Sequence, residues 1–170
     1  MEDREFIDIL KKSGCSQGVI NHILAVKELS LKIADRIKIP VDRELVRTGA
    51  FLHDIGRSRT HGIEHAVVGA EMARKMGFDD RVIRIIERHI GAGISREEAR
   101  ELGLPEKDYL PQSPEEKIIA YADNLLNGDR VVPFEVSLEQ FKQTLGSDHP
   151  AIERYIALHR EIQEWMNNET

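Results

Sequence analysis

Apolar residues recur along this chain at spacings of three and four, and turn residues interrupt them repeatedly. The clearest stripe runs through Val19, Ile20, Ile23, Val26, Leu29, Ile33 and Ile37 and predicts a helix over Gln17 to Ile37. A shorter helix is expected before it, from about Asp3 to Lys12, ending near Gly14. Pro40 and Asp42 break and restart the chain; Asp42 caps a helix over about Arg43 to Asp54, and Gly56 ends it. A polar loop, Arg57 to Gly62, leads to a helix over Ile63 to Met76 with Gly77 at its C-terminal end. The next helix runs from Asp79 or Asp80 to about Ile90 and is closed by Gly91 and Gly93. Ser95 with Glu98 reads as a capping box for a short helix to Leu102, and Ser113, Pro114 and Glu116 open a helix reaching Leu126. After a loop over Asn127 to Glu135, Ser137 and Gln140 read as another capping box, and a final helix covers about Pro150 to Met166. Only Arg130 to Val136 has a strand-like pattern, which Pro133 weakens. The expected fold class is all-α: one domain over residues 1–170, with C-terminal helices 137–166 packing on a core at about 17–126.

Composition narrows this picture. The chain has 170 residues, 41% hydrophobic and 32% charged, which suits one folded domain and argues against disorder. Aromatics are only 5%, so the core must be built mainly from Leu, Ile, Val and Ala. No apolar stretch approaches the roughly 20 residues of a membrane span. The start, MEDREFIDILKK, lacks the basic and apolar regions of a secretory signal, and a cytoplasmic location is expected. The single cysteine, Cys15, excludes an internal disulfide and a thiolate metal cluster. The net charge of −6 and the lack of a dense basic run argue against long nucleic acid as a partner. A small phosphorylated ligand needs only a local positive site, which bound metal can supply. The final helix, with Leu158, Ile162, Trp165 and Met166, closes the core or forms an interface, so monomer and homodimer both stay open.

The candidate chemistry lies in the histidines. His22 falls on the stripe Val19, Val26, Leu29, Ile33; His53 on Val46, Gly49, Ala50; His65 with Val68 and Met72; His89 with Val82, Ile85 and Ile86; Asp123 with Ile119 and Leu126. Each of these polar groups lies on or beside an inward helix face. Burying one without a partner costs roughly 1–3 kcal/mol, and a carboxylate costs more. A single core histidine is usually satisfied by a backbone carbonyl. Five such groups on separate helices are satisfied more economically by one shared metal centre, because imidazole and carboxylate are both metal ligands. His149 and His159 fall outside this set and read as structural, His149 as an exposed residue at a helix start and His159 on the inward side of the last helix.

His22, then His53-Asp54-Ile55-Gly56, then Asp123 resembles the HD superfamily of metal-dependent phosphohydrolases in its HDIG form, over about Gln17 to Leu126. The stretches Glu64-His65-Ala66-Val67-Val68-Gly69-Ala70, Arg88-His89-Ile90-Gly91, and Tyr121-Ala122-Asp123-Asn124 followed by Asp129-Arg130 are most similar to the symmetrical diadenosine-tetraphosphate hydrolases. That resemblance implies a helical bundle with the metal centre in its core. His22, His53, Asp54 and Asp123 would hold one divalent metal, and Asp54, His65 and His89 a second, with Asp54 bridging. Iron or manganese is the first expectation, with zinc, nickel and cobalt also compatible with such ligands. Asp54 and Arg57 are the expected catalytic residues, and Arg57, Arg59, His61 and Arg130 the expected phosphate contacts. The HD-GYP signature is absent, His89 being followed by Ile90, which argues against cyclic-di-GMP. The chain lacks a synthetase domain, which argues against a full-length alarmone enzyme.

The expected activity is hydrolysis of a small phosphate ester or anhydride, a nucleotide or dinucleoside polyphosphate, by water that two divalent ions acidify. Two alternatives stand beside it. One is a sensor that binds metal and nucleotide without cleaving. The other is a phosphodiesterase acting on RNA ends or cyclic phosphates, against which the acidic balance counts.

Overall fold

The computed structural model describes residues 1–167; residues 168–170, which the expected domain included, lie outside the described residues. Among the described residues the fold is all-α apart from one hairpin of two two-residue strands and a single bridge between Ile94 and Tyr109. Its helices are α1 (Asp3–Ser13), α2 (Gln17–Arg36), α3 (Arg43–Leu52), α4 (His65–Lys75), α5 (Asp80–Glu87), α6 (Arg96–Leu102), α7 (Pro114–Asn124), α8 (Phe134–Leu145) and α9 (Pro150–Asn167). A 3-10 turn, Ile55–Ser58, follows α3, and the strands β1 (Leu126–Asn127) and β2 (Arg130–Val131) pair antiparallel. Among the described residues no helix is long and apolar enough to cross a membrane.

Side-chain caps fix the helix starts that matter for the site. Ser16 accepts from the Val19 amide, Asp42 from Leu45, Asp79 from Arg81 and Ser113 from Glu116. Ser95 and Glu98 form the expected capping box on α6. α2 packs against α3 and α7, α3 against α5 and α7, and α4 against α5 and the 3-10 turn, while α9 joins α7 to α8. The core they enclose is aliphatic, with Ile23, Val26, Leu52, Ile85, Ile86, Ile118 and Ile119 fully buried, as the low aromatic content requires. A smaller cluster of Ile94, Ala99, Leu104 and Tyr109 lies beneath α6.

Four element boundaries differ from those the sequence pattern predicts. α3 stops at Leu52, with His53 as its C-cap, and Asp54 leads into the 3-10 turn. Gly56 therefore does not end a helix by adopting a left-handed conformation. A Cβ on Gly56 would lie 1.9 Å from the His65 carbonyl oxygen and 2.8 Å from the Gly69 amide, so the missing side chain lets the turn press on α4. α5 stops at Glu87 and α7 at Asn124, which leaves His89 and Leu126 in the segments that follow. The strand-like stretch Arg130 to Val136 is strand only at Arg130–Val131; α8 begins at Phe134, with Pro133 at its N-cap position. Ser137 is thus inside α8 rather than its cap. It is buried, its hydroxyl donates to the Asn124 carbonyl and shares a hydrogen bond with Tyr155 Oη at 2.7 Å, and it ties α8 to α7 and α9. Tyr155 and the rings of Phe134 and Phe141 pack around the same junction.

The close approach at Gly56 generates a test. Gly56→Ala is expected to destabilise the protein by about 3 kcal/mol, because backbone rather than a movable side chain blocks the methyl group. Denaturant unfolding checks it; a loss below about 0.5 kcal/mol, the range of a neutral surface change, would show that the turn does not rest on α4.

Candidate metal centre

Six side chains from five parts of the chain converge at the middle of this bundle. His22 comes from the first turns of α2, His53 and Asp54 from the end of α3, His65 from the first residue of α4, His89 from just beyond α5 and Asp123 from the last turn of α7. His53, Asp54, His65 and His89 are buried, and His22 and Asp123 are half-buried at the rim. The donor atoms fall into two groups, each within 4.8 Å: His22, His53, Asp54 and Asp123 in one, and Asp54, His65 and His89 in the other.

The backbone sets the orientation of every ring. Nδ1 of His53 bonds the Ala50 carbonyl at 2.7 Å, Nδ1 of His65 the Gly62 carbonyl at 2.9 Å and Nδ1 of His89 the Ile86 carbonyl at 2.7 Å. Each partner is three residues earlier in the chain. His22 uses Nδ1 on the Gly128 carbonyl, at the tip of the hairpin. A carbonyl can only accept, so each Nδ1 carries its proton and donates. All four Nε2 atoms then face inwards. His22 Nε2 lies 2.8 Å from Asp123 Oδ1 and 3.4 Å from Asp54 Oδ2; His65 and His89 Nε2 each lie 3.2 Å from Asp54 Oδ1 and 3.1 Å from each other. Imidazoles fixed through one nitrogen by a backbone carbonyl and aimed with the other are oriented as metal ligands are.

Electrostatics point the same way. Burial alone would lower the His53 pKa, but the Asp54 and Asp123 carboxylates outweigh it and raise it to about 9. Burial would likewise raise the two carboxyl groups. The histidines around them hold Asp54 and Asp123 well below the usual carboxylate range instead. Two buried anions are therefore drawing positive charge onto the nearest ring. His53 Nε2 and Asp54 Oδ1 are buried yet make no hydrogen bond of acceptable geometry. Buried polar atoms of this kind demand a partner. A divalent cation fits both, and a donor set of imidazole nitrogen and carboxylate oxygen without thiolate suits transition metals.

The surrounding residues hold the ligand segments in place. Arg88 pairs with buried Glu116 at 2.7 Å, and Asn124 Nδ2 donates to the Gly91 carbonyl at 2.7 Å, so the segment carrying His89 is fastened to α7 on both sides. Sequence pattern did not single out Glu116, Asn124 or the Gly128 carbonyl as part of the site. The Asn127-Gly128 dipeptide marks a turn, but nothing local says that its carbonyl reaches His22.

A cavity of about 370 Å³ opens over the converging side chains and is lined by Gly18, Val19, His22, Asp54, Arg57, His61, Asp123 and Leu126. Arg57 Nε lies 3.3 Å from Asp54 Oδ2, and His61 faces the same space. Arg59, two residues on, points elsewhere: it lines a separate groove of about 820 Å³ between α1 and α4, which contains none of the six converging residues. Arg130 stands exposed on β2 and does not line the cavity over the ligands. His149 is half-buried rather than exposed, its Nδ1 accepting from the Ala151 amide at the start of α9. His159 stacks on Phe134 at 3.7 Å and bonds Tyr121 Oη through Nδ1.

Comparison with known proteins places this architecture. The chain is 54% identical to an uncharacterized protein of Methanocaldococcus jannaschii over 98% of its own length and 99% of that protein's. It is 46% identical to a tRNA (cytidine(56)-2'-O)-methyltransferase of Thermoplasma volcanium over 94% of its length, and it spans only 46% of that enzyme. It is 32% identical to ribonuclease Y of Pseudothermotoga lettingae over 71% of its length, covering 21% of that protein. Among solved structures, the HD domain of the L. monocytogenes phosphodiesterase PgpH in complex with cyclic-di-AMP has the same fold, with a TM-score of 0.59 over 97% of both chains at 18% identity. Residues 19–128, which contain all six converging side chains, match the HD domain family, and the chain belongs to it.

Proposed function

We propose that this protein is a metal-dependent phosphohydrolase. The observation that carries the reading is the convergence of four Nε2 atoms, each turned inwards by a backbone carbonyl, on two buried carboxylates. His22, His53, Asp54 and Asp123 hold one divalent ion and Asp54, His65 and His89 a second, with Asp54 shared. Ions bound there supply positive charge to phosphate oxygens and acidify water enough for attack near neutral pH. Among the described residues Arg57 is the one guanidinium lining the cavity, where its remaining donors meet a phosphate while Nε stays on Asp54. His61, whose carbonyl accepts from Arg57 Nη1 at 3.5 Å, offers a further contact beside it. Gly18 and Val19 keep the cavity mouth free of bulky polar groups. Iron or manganese is the proposed native metal.

The substrate is a small nucleotide ester or anhydride. The dinucleoside polyphosphates that the HDIG resemblance suggests are one such class. Phosphodiesters are another, and the likeness to a phosphodiesterase HD domain supports including them. A second reading, cleavage at an RNA end or of a cyclic phosphate, is favoured by the similarity to ribonuclease Y and to half of the tRNA methyltransferases. The lack of a dense basic run weighs against a long duplex but not against a terminal nucleotide.

Three outcomes test the centre. Metal analysis of protein purified without chelator is expected to find about two ions per chain, falling to about one in His65→Ala. Metal-dependent hydrolysis of bis(p-nitrophenyl) phosphate is expected, together with its loss in Asp54→Ala; wild-type turnover in that variant would sink the proposal. Arg57→Ala, with metal content retained, is expected to lower kcat/KM by about 100-fold.

Metal affinity should also depend on pH with a defined sign. His53 carries a proton below about pH 9 in the metal-free protein, and a metal ligand must shed it. Affinity therefore rises with pH, by about tenfold per unit if one proton leaves, and levels off above the His53 pKa. Calorimetric titration in buffers of different ionisation enthalpy counts the released protons. A pH-independent affinity would mean that His53 stays outside the coordination shell.

A further inference from the structure

A second cavity, of about 490 Å³, adjoins the metal centre and shares Asp123 and Leu126 with the cavity over the ligands. Its near wall is the backbone Gly91-Ala92-Gly93. Gly91 has φ +56 and Gly93 φ +102, and a Cβ on Gly93 would lie 2.7 Å from Pro111, so glycine there lets the chain pass tightly between its neighbours. The other wall is one stripe of α8: Ser137, Gln140, Phe141, Thr144 and Leu145. Phe141 is held in place by Tyr155, with ring centroids 4.6 Å apart. Leu102 of α6 and Leu145 of α8 stand at the cavity with 49% and 41% of their surfaces exposed, an apolar lip left in water.

Charge decides what this space can hold. Its one guanidinium, Arg154, is already engaged: it bonds both Glu98 carboxylate oxygens, at 2.6 and 3.1 Å, and the Gly93 carbonyl at 3.1 Å. Glu101 adds a negative charge to the lining. The other basic side chain among the described lining residues is His149, whose Nδ1 accepts from the Ala151 amide, so a phosphate is better placed on the Arg57 side. What remains is an apolar slot with the amide of Gln140 and the hydroxyl of Thr144 at its edge, groups that both donate and accept. A flat heteroaromatic group with donors and acceptors on its rim matches such a slot, and the volume lies in the range of small-ligand sites.

We propose that this cavity binds the nucleoside of the substrate, so that the phosphate attached to it reaches Asp123 and the metal centre. The proposal rests on the phosphohydrolase reading and adds a substrate class to it. Ser137, Gln140, Phe141, Thr144 and Arg154 all lie beyond residue 128, outside the part of the chain that matches the HD family. Base recognition is therefore supplied by the C-terminal helices rather than by the catalytic core, as specificity elements carried by variable parts of a scaffold usually are.

The test uses the full chain loaded with metal and the four ribonucleosides as probes, followed by saturation-transfer NMR and titration. At least one nucleoside is expected to bind, with saturation transfer to its base protons. Gln140→Ala and Thr144→Met are both at exposed positions, and a thermal melt verifies their folding. Each is expected to weaken that nucleoside by about tenfold or more. The proposal is overturned if no nucleoside binds the wild type, or if both folded variants bind as the wild type does. Hydrolysis of bis(p-nitrophenyl) phosphate is measured in parallel. Turnover without nucleoside binding removes the pocket and leaves the hydrolase reading standing. Nucleoside binding without turnover under any metal supports the pocket and removes the hydrolase reading.

Discussion

Asp54 is a buried carboxylate with histidine nitrogens on every side, and the rest of the molecule is arranged around that arrangement. An ionised carboxylate in a protein interior is costly unless it is paired. Here the pairing comes from His22, His53, His65 and His89, whose nitrogens lie 3.2 to 3.6 Å from its two oxygens. The carboxylates hold a proton on His53 against the effect of burial. Such a cluster suits a divalent cation, and His53 Nε2 and Asp54 Oδ1 are the two of its atoms left buried without a hydrogen-bond partner. This requirement explains why five separate chain segments must meet at one point.

The bundle meets that requirement with backbone rather than with further side chains. Three of the four histidines bond the carbonyl of the residue three positions earlier, a contact made available because each lies at a helix end and not within one. His53 caps α3, His65 begins α4 and His89 lies just past α5. A histidine in mid-helix finds nearby carbonyls already engaged in the helix ladder. The short helices that make this fold look fragmented are thus the means by which its rings are aimed. Gly56 serves the same end, because its bare backbone lets the segment after Asp54 sit directly on the start of α4, where His65 stands.

The two proposed subsites fall in different parts of the chain. The HD portion supplies the charged centre and Arg57, which suit a phosphate of any origin. The helices beyond it line a largely apolar slot next to Asp123, where Arg154 is neutralised by Glu98 and Glu101 adds a negative charge. The proteins that match this chain include a ribonuclease, a phosphodiesterase HD domain and a methyltransferase of which it spans 46%, and a fold by itself does not fix what is bound.

Much of this was legible in the sequence. Helical periodicity and capping residues placed α1, α2, α6 and α9 nearly to the residue, because those signals are local and act through the backbone of the same few residues. The HDIG motif and the inward positions of His22, His65, His89 and Asp123 named the side chains that the fold brings together. Local pattern went wrong where tertiary packing overrode it. Ser137 has the look of a helix cap, yet it lies buried inside α8, bonding α7 and α9. Arg59 and Arg130 stand close to the motifs in sequence, but the 3-10 turn and the hairpin direct them away from the ligand cavity. The sequence by itself determined which residues are available as ligands and which stretches are helical. Only the tertiary structure decided that Gly128 orients His22, that Glu116 and Asn124 fasten the His89 segment to α7, and that an apolar slot opens beside Asp123. Those features depend on groups far apart in the chain meeting in space, and no local periodicity encodes such distances.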